Sequence, residues 1–486
     1  MKFLNRYSQS FLLATLVTSS VFPGASRADD VKDFGLQMEE RLKDQSTRYF
    51  GVQKPLEDSA PPTVGPYRTP TQTADAQVAL AKGLKATYLT RSAGNNTDMM
   101  AFFPAAQPTH LITCVEEDRI TLSNGELNPS VQRVNLTTGA VTTILRGMDG
   151  CDGIRTTPWG TILATEETDD GAAYEILDPL TTTEQDVTNR ATGAVTDSTH
   201  IVKRTALPTM AWEGLHILPS GVVIAGDELR PGTGGADRDG GALFKFVPTT
   251  PRTGTAPITN LTNSPLAAGS VFALQVSCVN NTQQFGQGCE IGNGAWVAVT
   301  AANARTDART NGATGYYRPE DLHGDPTFTG TGVRFCWTNT GNEGAANYAE
   351  VVCGVDANPL VASATQRTVV VNRFVEGDED FNSFDNLDFQ PKTGILYVIE
   401  DHPNGDIFAC LRDGLDRDIK TDGCVKVLSV KDSSAEPTGF IFSADGTTAY
   451  VAIQHSDDAN MPLVENYPTD DVLKITGFKR SDAKDK

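Results

Sequence analysis

Six similar segments of this chain each open on an acidic residue or a cysteine, and most of them close on paired carboxylates. Within each segment, a short apolar run leads through a Pro/Gly-type turn into a second apolar run, as in DNLDFQPKTGILYVIED and EGLHILPSGVVIAGDEL. The opening residues are Asp98, Cys151, Glu213, Glu320, Asp385 and Glu436. One acidic group at the same place in each repeat predicts a ring of carboxylates, and such a ring needs cations to offset its mutual repulsion.

These residue types indicate which cations would bind. Carboxylate oxygens are hard ligands that suit Ca²⁺, whereas a thiolate from Cys151 would favour a transition metal such as iron. Arg318 lies two residues before Glu320 and could hold a phosphate or carboxylate through two parallel hydrogen bonds. Two simpler interpretations stay open: the acids are turn residues at strand starts, and Cys151 forms a disulfide with Cys114.

The segments between about residues 85 and 478 must position this ring, and they are typical of β-strands. Runs rich in Val, Ile, Thr and Phe alternate with Gly, Pro, Asn and Asp turns. Most openings are roughly fifty to sixty-five residues apart, slightly longer than a four-stranded propeller blade. We therefore predict an all-β fold, a six-bladed β-propeller whose inner strands begin at the opening acids, with a long insertion between residues 213 and 320.

The two ends of the chain differ from this repeating region. Residues 1–28 have a basic start, an apolar stretch and a small-residue cleavage site, which predicts a signal peptide. Residues 29–84 predict an N-terminal arm or linker with a short helix at Asp33–Asp44, and residues 479–486 predict a flexible tail. Since no later stretch has about twenty apolar residues, we expect a soluble protein that is periplasmic or secreted.

Charge and cysteine content narrow the function classes further. The net charge of −21 disfavours nucleic acid and anionic membranes as partners. Eight cysteines fit an oxidising compartment. Close spacing suggests disulfides between Cys278 and Cys289, between Cys336 and Cys353, and between Cys410 and Cys424. The sequence does not reveal which member of each carboxylate pair faces the central channel that the inner strands would line.

Several of these segments resemble one known family. CDGIRTTPWGTILATEE resembles the signature of PhoX-type alkaline phosphatases. Further matches stand in the family's order: NNTDMMAFFP before this segment, and YRPEDL, FDNLDFQPKTGILYVIED and EPTGFIFSADGTTAYVAIQH after it. The resemblance spans nearly all of the chain after residue 28. It implies a six-bladed propeller that hydrolyses phosphate monoesters with an axial iron–calcium cluster, containing Fe³⁺ and Ca²⁺.

The resemblance also implies roles for individual residues. Cys151 would be the thiolate ligand of iron, and Glu167, Glu213 and Glu320 would be carboxylate ligands. Arg318 would bind the substrate phosphate, Asn96 would assist it, and Glu213 would take part in catalysis through the metals. Asp385 and Glu436 would belong to calcium positions or to their surroundings.

One departure from the family pattern keeps other functions open. Thr469 and Asp470 stand where family members usually carry a basic residue after the IQH strand. We expect an exported, metal-dependent phosphatase acting on a small phosphate ester. The alternatives are a non-enzymatic calcium-stabilised propeller for binding, favoured by this departure, and a lactonase-like calcium propeller hydrolase, which would need no thiolate.

Overall fold

Short strands follow one another along the chain because apolar runs of about six residues alternate with turn residues. The computed structural model describes residues 34–63, 68–232, 240–276, 290–412, 423–456 and 461–479. The helices in these ranges are α1 (Phe34–Asp44), α2 (Ser46–Tyr49) and α3 (Ala304–Thr310). The strands are β1 (Val78–Leu80), β2 (Lys85–Gly94), β3 (Thr97–Phe103), β4 (His110–Val115), β5 (Pro129–Asn135), β6 (Val141–Arg146), β7 (Cys151–Thr156), β8 (Ile162–Glu166), β9 (Ala173–Ile176), β10 (Gln185–Asn189), β11 (Ala194–Val195), β12 (Ile201–Lys203), β13 (Trp212–Ile217), β14 (Val223–Asp227), β15 (Leu243–Pro248), β16 (Gly269–Gln275), β17 (Gly292–Val299), β18 (Pro319–Gly324), β19 (Val333–Asn339), β20 (Glu350–Asp356), β21 (Val369–Glu376), β22 (Phe384–Phe389), β23 (Leu396–Glu400), β24 (Asp406–Cys410), β25 (Cys424–Val430), β26 (Glu436–Phe442), β27 (Thr448–Gln454) and β28 (Thr469–Thr476).

The described strands form five sheets. Four have the strand orders β11-β10-β6-β5-β4-β3, β12-β9-β8-β7, β1-β25-β24-β23-β22 and β2-β28-β27-β26. The fifth is a nine-stranded sheet with the order β13-β14-β15-β16-β17-β21-β20-β19-β18. The prediction of an all-β propeller is confirmed, but the sheets are not six separate four-stranded blades, because pairing of β17 with β21 joins two groups of strands into one sheet.

Six inner strands connect these sheets into a closed cycle. β3 contacts β7, which contacts β13, and the series continues through β18, β22 and β26 back to β3. The last sheet combines strands from both ends of the repeating region, because β2 pairs antiparallel with β28. β2 is thus the outer edge strand of the last sheet, and β26 is its inner strand.

Apolar side chains fill the spaces between neighbouring sheets. β23, for example, is buried along its whole length because its sheet packs between two others. The segment before β2 packs onto one of these cores, with Leu42, Phe50 and Val52 buried beside Val427 and Phe478. The helix predicted at Asp33–Asp44 is present as α1. None of the helices in the described part of the chain is long and apolar enough to cross a bilayer.

Disulfides join neighbouring strands within the sheets. Cys336 pairs with Cys353 across β19 and β20, and Cys410 pairs with Cys424 across β24 and β25, as predicted. The predicted bond between Cys278 and Cys289 lies outside the described residues, as do the signal peptide and residues 480–486 of the tail. The domain boundaries at residues 28, 84 and 478 stay predictions.

Candidate metal centre

A bulge near the start of every inner strand sets the position of the acidic residues. In five inner strands the bulge begins at the first residue, and the acid is the second. An aliphatic residue follows two positions after the acid and returns to regular pairing. We call these five residues the inner acids: Asp98, Asp152, Glu213, Glu320 and Asp385. The bulge directs them away from the regular pleat, towards the middle of the cycle.

Three groups of carboxylates lie close enough to hold metal ions. Asp98, Glu116 and Asp152 form the first group, and Asp152 shares the second with Glu167 and Glu213. Glu213, Glu320 and Asp385 form the third. Within each group, one carboxylate oxygen from every residue lies within 4.8 Å of the others. Because Asp152 and Glu213 each belong to two groups, seven carboxylates form one continuous arc.

A second set of residues follows the second strand of each repeat. In five repeats, the amide of this residue donates a hydrogen bond of 2.6–3.1 Å to the carbonyl that precedes the inner strand. The donors are Glu116, Glu167, Glu228, Thr340 and Asp401, and the acceptors are Asn96, Gly150, Ala211, Arg318 and Ser383. Four of the five acceptors have a left-handed backbone with φ of 51–63°.

In three of the four carboxylate pairs, the first carboxylate has a structural role. Glu166 accepts amide hydrogen bonds from Asp149 and Ala172 and forms an ion pair with Arg190. Asp227 and Glu400 accept amide hydrogen bonds in the same way. In these three pairs the first carboxylate therefore fixes loops, which leaves the second to face the inner acids.

Gly214 allows two inner strands to come close enough for the third carboxylate group to form. It follows Glu213 on β13, and a Cβ at this position would overlap the backbone of Asp321 and the amide nitrogen of Leu322 on β18. Backbone atoms cannot move aside cheaply. A larger residue would separate Glu213 from Glu320.

We expect Gly214→Ala to destabilise the fold by about 3 kcal/mol, because the added methyl group overpacks this contact. It should also weaken metal binding. Denaturant unfolding and metal analysis of the purified variant would check both effects. Gly254→Ala is the control, because its added Cβ has only Arg252 Nη2 nearby, at 4.0 Å. Wild-type stability and metal content in Gly214→Ala would contradict the role of this contact.

Burial and mutual repulsion raise the pKa of the clustered carboxyl groups. Desolvation is the largest cause for Asp152, Glu213 and Asp385, and neighbouring carboxylates raise their pKa further, to well above the ordinary values. For Glu320, desolvation outweighs the opposing charge of Arg318 and raises the pKa to about 8. Bound cations would reverse these shifts, because they stabilise the ionised form.

Two carboxylate oxygens of the arc have no hydrogen-bond partner in the described part of the chain. Glu213 Oε2 and Asp152 Oδ1 are buried and accept no hydrogen bond from the described residues. An unpaired buried carboxylate oxygen is costly unless a cation or proton satisfies it. Both residues belong to two of the carboxylate groups. The donor set therefore fits hard metal cations.

Arg318 adjoins the arc, as the sequence predicts. Its Nε lies 2.5 Å from Glu228 Oε1, and its Nη2 lies 3.1 Å from Glu320 Oε1 and 3.4 Å from Asp401 Oδ2. Desolvation opposes its charge, but Glu320, Glu228 and Asp401 together raise its pKa above the ordinary arginine value. Nη1 makes no hydrogen bond to any described residue, so it is available to an anionic ligand.

Asn96 lies at the start of β3, beside the first carboxylate group. Its Nδ2 donates a hydrogen bond of 3.2 Å to Glu117, and its backbone amide donates one of 2.6 Å to Asp470 Oδ2. Asp470 is 0% exposed and also accepts a hydrogen bond from the Thr97 amide. Asp470 is thus a buried anchor for β3.

The structure contradicts the thiolate role predicted for Cys151. Cys151 forms a disulfide with Cys114, which was the alternative interpretation. It is the first residue of β7, where the bulge begins, and Asp152 occupies the position of the inner acids. The physical reason is the bulge, because it shifts the side-chain alternation within the first residues of the strand.

The structure does not bring Glu436 into the three close carboxylate groups, so its predicted role as a ligand stays a prediction. β26 has two residues before its bulge, which begins at Thr438, whereas the bulge of the other inner strands begins at their first residue. Gly439 therefore occupies the position of the inner acids in this repeat, and Glu436 belongs to none of the three carboxylate groups. Glu436 instead lies 3.1 Å from His455 Nε2. This hydrogen bond is the largest influence on His455 and raises its pKa to about 9.

Sequence reasoning placed Asp98, Glu213, Glu320 and Asp385 in the ring and Glu167 among the ligands, and the structure brings all five together. It missed Asp152, and it did not decide whether Glu116 or Glu117 faces the ring. Aligning the repeats on the aliphatic residue two positions after the acid would have found Asp152, because DGI, EGL, EDL and DNL then fall into the same phase.

The fold and the site together define a β-propeller whose inner strands enclose a cluster of carboxylates able to hold metal ions. The alkaline phosphatase PhoX family matches residues 131–457, more than half of the chain. The chain belongs to this family, so it is an enzyme of the phosphatase class, and the resemblance noted from its motifs is confirmed.

Comparison with solved structures gives matches at low sequence identity. Pseudomonas fluorescens PhoX in complex with vanadate, a transition state analogue, is 17% identical with a TM-score of 0.57, covering 87% of this chain and 98% of its own. A putative glucose dehydrogenase from Thermus thermophilus is 12% identical, with a TM-score of 0.44 and coverage of 81% and 100%. PQQ-bound aldose sugar dehydrogenase from Streptomyces coelicolor is 11% identical, with a TM-score of 0.41 and coverage of 82% and 99%. No curated protein matches the sequence.

Proposed function

We propose that this protein is an exported phosphatase that hydrolyses small phosphate monoesters at the carboxylate arc inside its inner strands. The observation that carries the proposal is the contact between Arg318 and the arc. Arg318 Nη2 lies 3.1 Å from Glu320 Oε1, which supports a guanidinium that binds phosphate beside a carboxylate that holds a metal ion. A purely structural cation site would have no use for this arginine.

The three carboxylate groups would hold the metal ions. Their oxygen-only composition suits Ca²⁺, and the family resemblance implies Fe³⁺ beside it. Because Cys151 is in a disulfide, iron would be held by carboxylates such as Glu167 and Glu213 and not by a thiolate. When bound, the cations supply Lewis-acid stabilisation of the phosphoryl oxygens and an activated oxygen nucleophile.

The chain's own residues bind and orient the ester. Arg318 is held by Glu228 on its Nε side, which leaves Nη1 to donate a hydrogen bond to a phosphate oxygen. His455, protonated below a pH of about 9, adds a cation at the side of the first carboxylate group, since Glu116 lies close enough to raise its pKa. It offsets the missing basic residue near Asp470. Asn96 positions the start of β3 through Asp470.

The proposal also covers the number of blades, the compartment and the type of substrate. The nine-stranded sheet counts as two blades, β13–β16 and β18–β21, joined through β17, so that six inner strands correspond to six blades. Disulfides in the described residues support an oxidising compartment, and thus export to the periplasm or the medium. The substrate is a small molecule and not a nucleic acid, given the net charge of −21.

The test is hydrolysis of p-nitrophenyl phosphate at alkaline pH by the full chain, loaded with calcium and iron and checked by elemental analysis. We expect turnover that requires the bound metals. Folded, metal-loaded protein without turnover would refute the proposal.

Replacing Arg318 with lysine should lower kcat/KM about 10²–10³-fold while metal content stays unchanged. Lysine keeps the charge near Glu228 and Glu320 but loses the planar fork that a phosphate needs. Arg305→Lys is the matched control, because Arg305 is a half-buried arginine paired with Asp227, the neighbour of Glu228. Equal effects of the two substitutions would argue against phosphate binding by Arg318.

A further inference from the structure

A cavity of about 240 Å³ lies directly beside Arg318, outside the carboxylate arc. Its lining residues come from the loop after β14, from the chain flanking β18 and β19, and from the start of β22. Arg318 therefore has two neighbours: the arc, which it contacts through Glu320, and this cavity. A phosphate bound by Arg318 and the arc would carry its ester group next to the cavity.

The backbone around the cavity is fixed by hydrogen bonds. The Arg318 amide donates to the Leu229 carbonyl at 3.3 Å, which places the following residue, Arg230, at the same wall. The Thr340 amide donates to the Arg318 carbonyl at 3.1 Å, and the Gly341 amide donates to the Tyr317 carbonyl at 3.2 Å. The cavity is thus part of the fold of the site.

The lining is polar almost throughout. Side chains with hydrogen-bonding groups come from Arg230, Thr340, Asn342, Ser383 and the acidic Glu343, and two glycines contribute backbone. Tyr317 supplies an aromatic ring, but it is 9% exposed, and its hydroxyl accepts a hydrogen bond of 2.9 Å from Asn342 Nδ2. Such a wall offers little surface for stacking an aromatic group and several donors for oxygen atoms.

We propose that this cavity binds the leaving group of the phosphate ester, and that Arg230 selects small leaving groups rich in hydrogen-bond acceptors, such as sugars and polyols. This inference rests on the proposed phosphatase function and specifies its substrate class. Arg230 is suited to the task because a guanidinium carries five donors and can therefore contact the protein and still donate to a ligand. The volume lies below the usual range for drug-sized ligands, about 300–1,000 Å³, which favours groups of hexose size or smaller.

The test compares glucose 6-phosphate with phenyl phosphate as substrates of the metal-loaded full chain. In Arg230→Met, kcat/KM for glucose 6-phosphate should fall about tenfold relative to phenyl phosphate, mainly through KM, because hydrogen bonds to the sugar are lost. Arg367→Met is the control, since Arg367 is an exposed arginine that donates to the Asn293 carbonyl on a distant strand. It should leave the ratio unchanged.

A second variant tests the cavity without touching the arginine. Gly344→Leu should be tolerated by the fold, because its Cβ would meet only Asn342 Oδ1, at 3.4 Å. The added side chain narrows the cavity and should reduce kcat/KM for glucose 6-phosphate more than for glycerol 1-phosphate.

The outcomes separate this inference from the proposed function. Hydrolysis of all three esters, with ratios that neither variant changes, would overturn the inference alone. A loaded protein that hydrolyses none of them would refute the proposed function and, with it, the inference. A changed ratio in Arg230→Met but not in Arg367→Met would support both.

Discussion

Glu213→Gln is expected to lower kcat/KM for phosphate esters at least about a thousandfold and to remove bound metal. Glu213 belongs to two of the three carboxylate groups, and its Oε2 has no hydrogen-bond partner among the described residues. Glutamine keeps the shape of the side chain but places an amide nitrogen where a cation needs an oxygen. The loss should therefore appear in elemental analysis as well as in the rate.

The same substitution should have the opposite effect on the metal-free protein. Without cations, Glu213 lies among Asp152, Glu320 and Glu167, and their repulsion adds to the cost of burying its charge. Removing the charge relieves this repulsion, so metal-free Glu213→Gln should melt at or above the temperature of metal-free wild type. A structural role alone would lower the melting temperature in both states.

Glu175→Gln is the matched control for Glu213→Gln. Glu175 is also buried, but it binds Trp159 Nε1, Thr161 and Arg204, away from the arc. We expect this variant to lose stability, because its partners are left unsatisfied, and to keep metal and turnover. Full metal content and rate in Glu213→Gln would contradict the assignment of the centre.

Chelation is expected to abolish turnover and to make the stability of the protein strongly dependent on pH. The clustered carboxyl groups have a folded pKa above the unfolded value, with Glu320 at about 8. Such groups favour the folded state while they are protonated, and this contribution is lost as pH rises from about 4.5 through the folded pKa. The metal-free protein should therefore melt at least about 5 °C higher at pH 6 than at pH 9.

The metal-loaded protein should show a smaller difference between these two pH values, because cations keep the arc ionised throughout. Burial raises the pKa of Asp470 to about 7. Asp470 therefore lowers the stability of both the metal-free and the metal-loaded protein as pH rises, and this shared part of the pH dependence does not depend on metal. Thermal unfolding of both forms at pH 6 and 9 checks this. Identical pH dependence with and without metal would show that the arc binds no cations.

The repeats explain why so much of the fold could be predicted. Each inner strand begins beside an acid and is followed by a turn and a second apolar run, so strand order and the place of the ring follow from sequence alone. The sequence did not reveal that β17 pairs with β21, because this contact joins two repeats through strand edges. Edge pairing depends on which unpaired backbone groups the tertiary fold brings together.

The candidate site shows the same division at the level of single residues. The chain alone determined the polycarboxylate character, Arg318 beside Glu320, and the family. Only the tertiary structure decided that Asp152 replaces Cys151, and that Gly439 stands where Glu436 was expected. It also decided which carboxylate of each pair faces the arc. The physical reason is that a bulge reverses side-chain alternation within one or two residues, whereas the pattern of apolar runs records phase only over the whole strand.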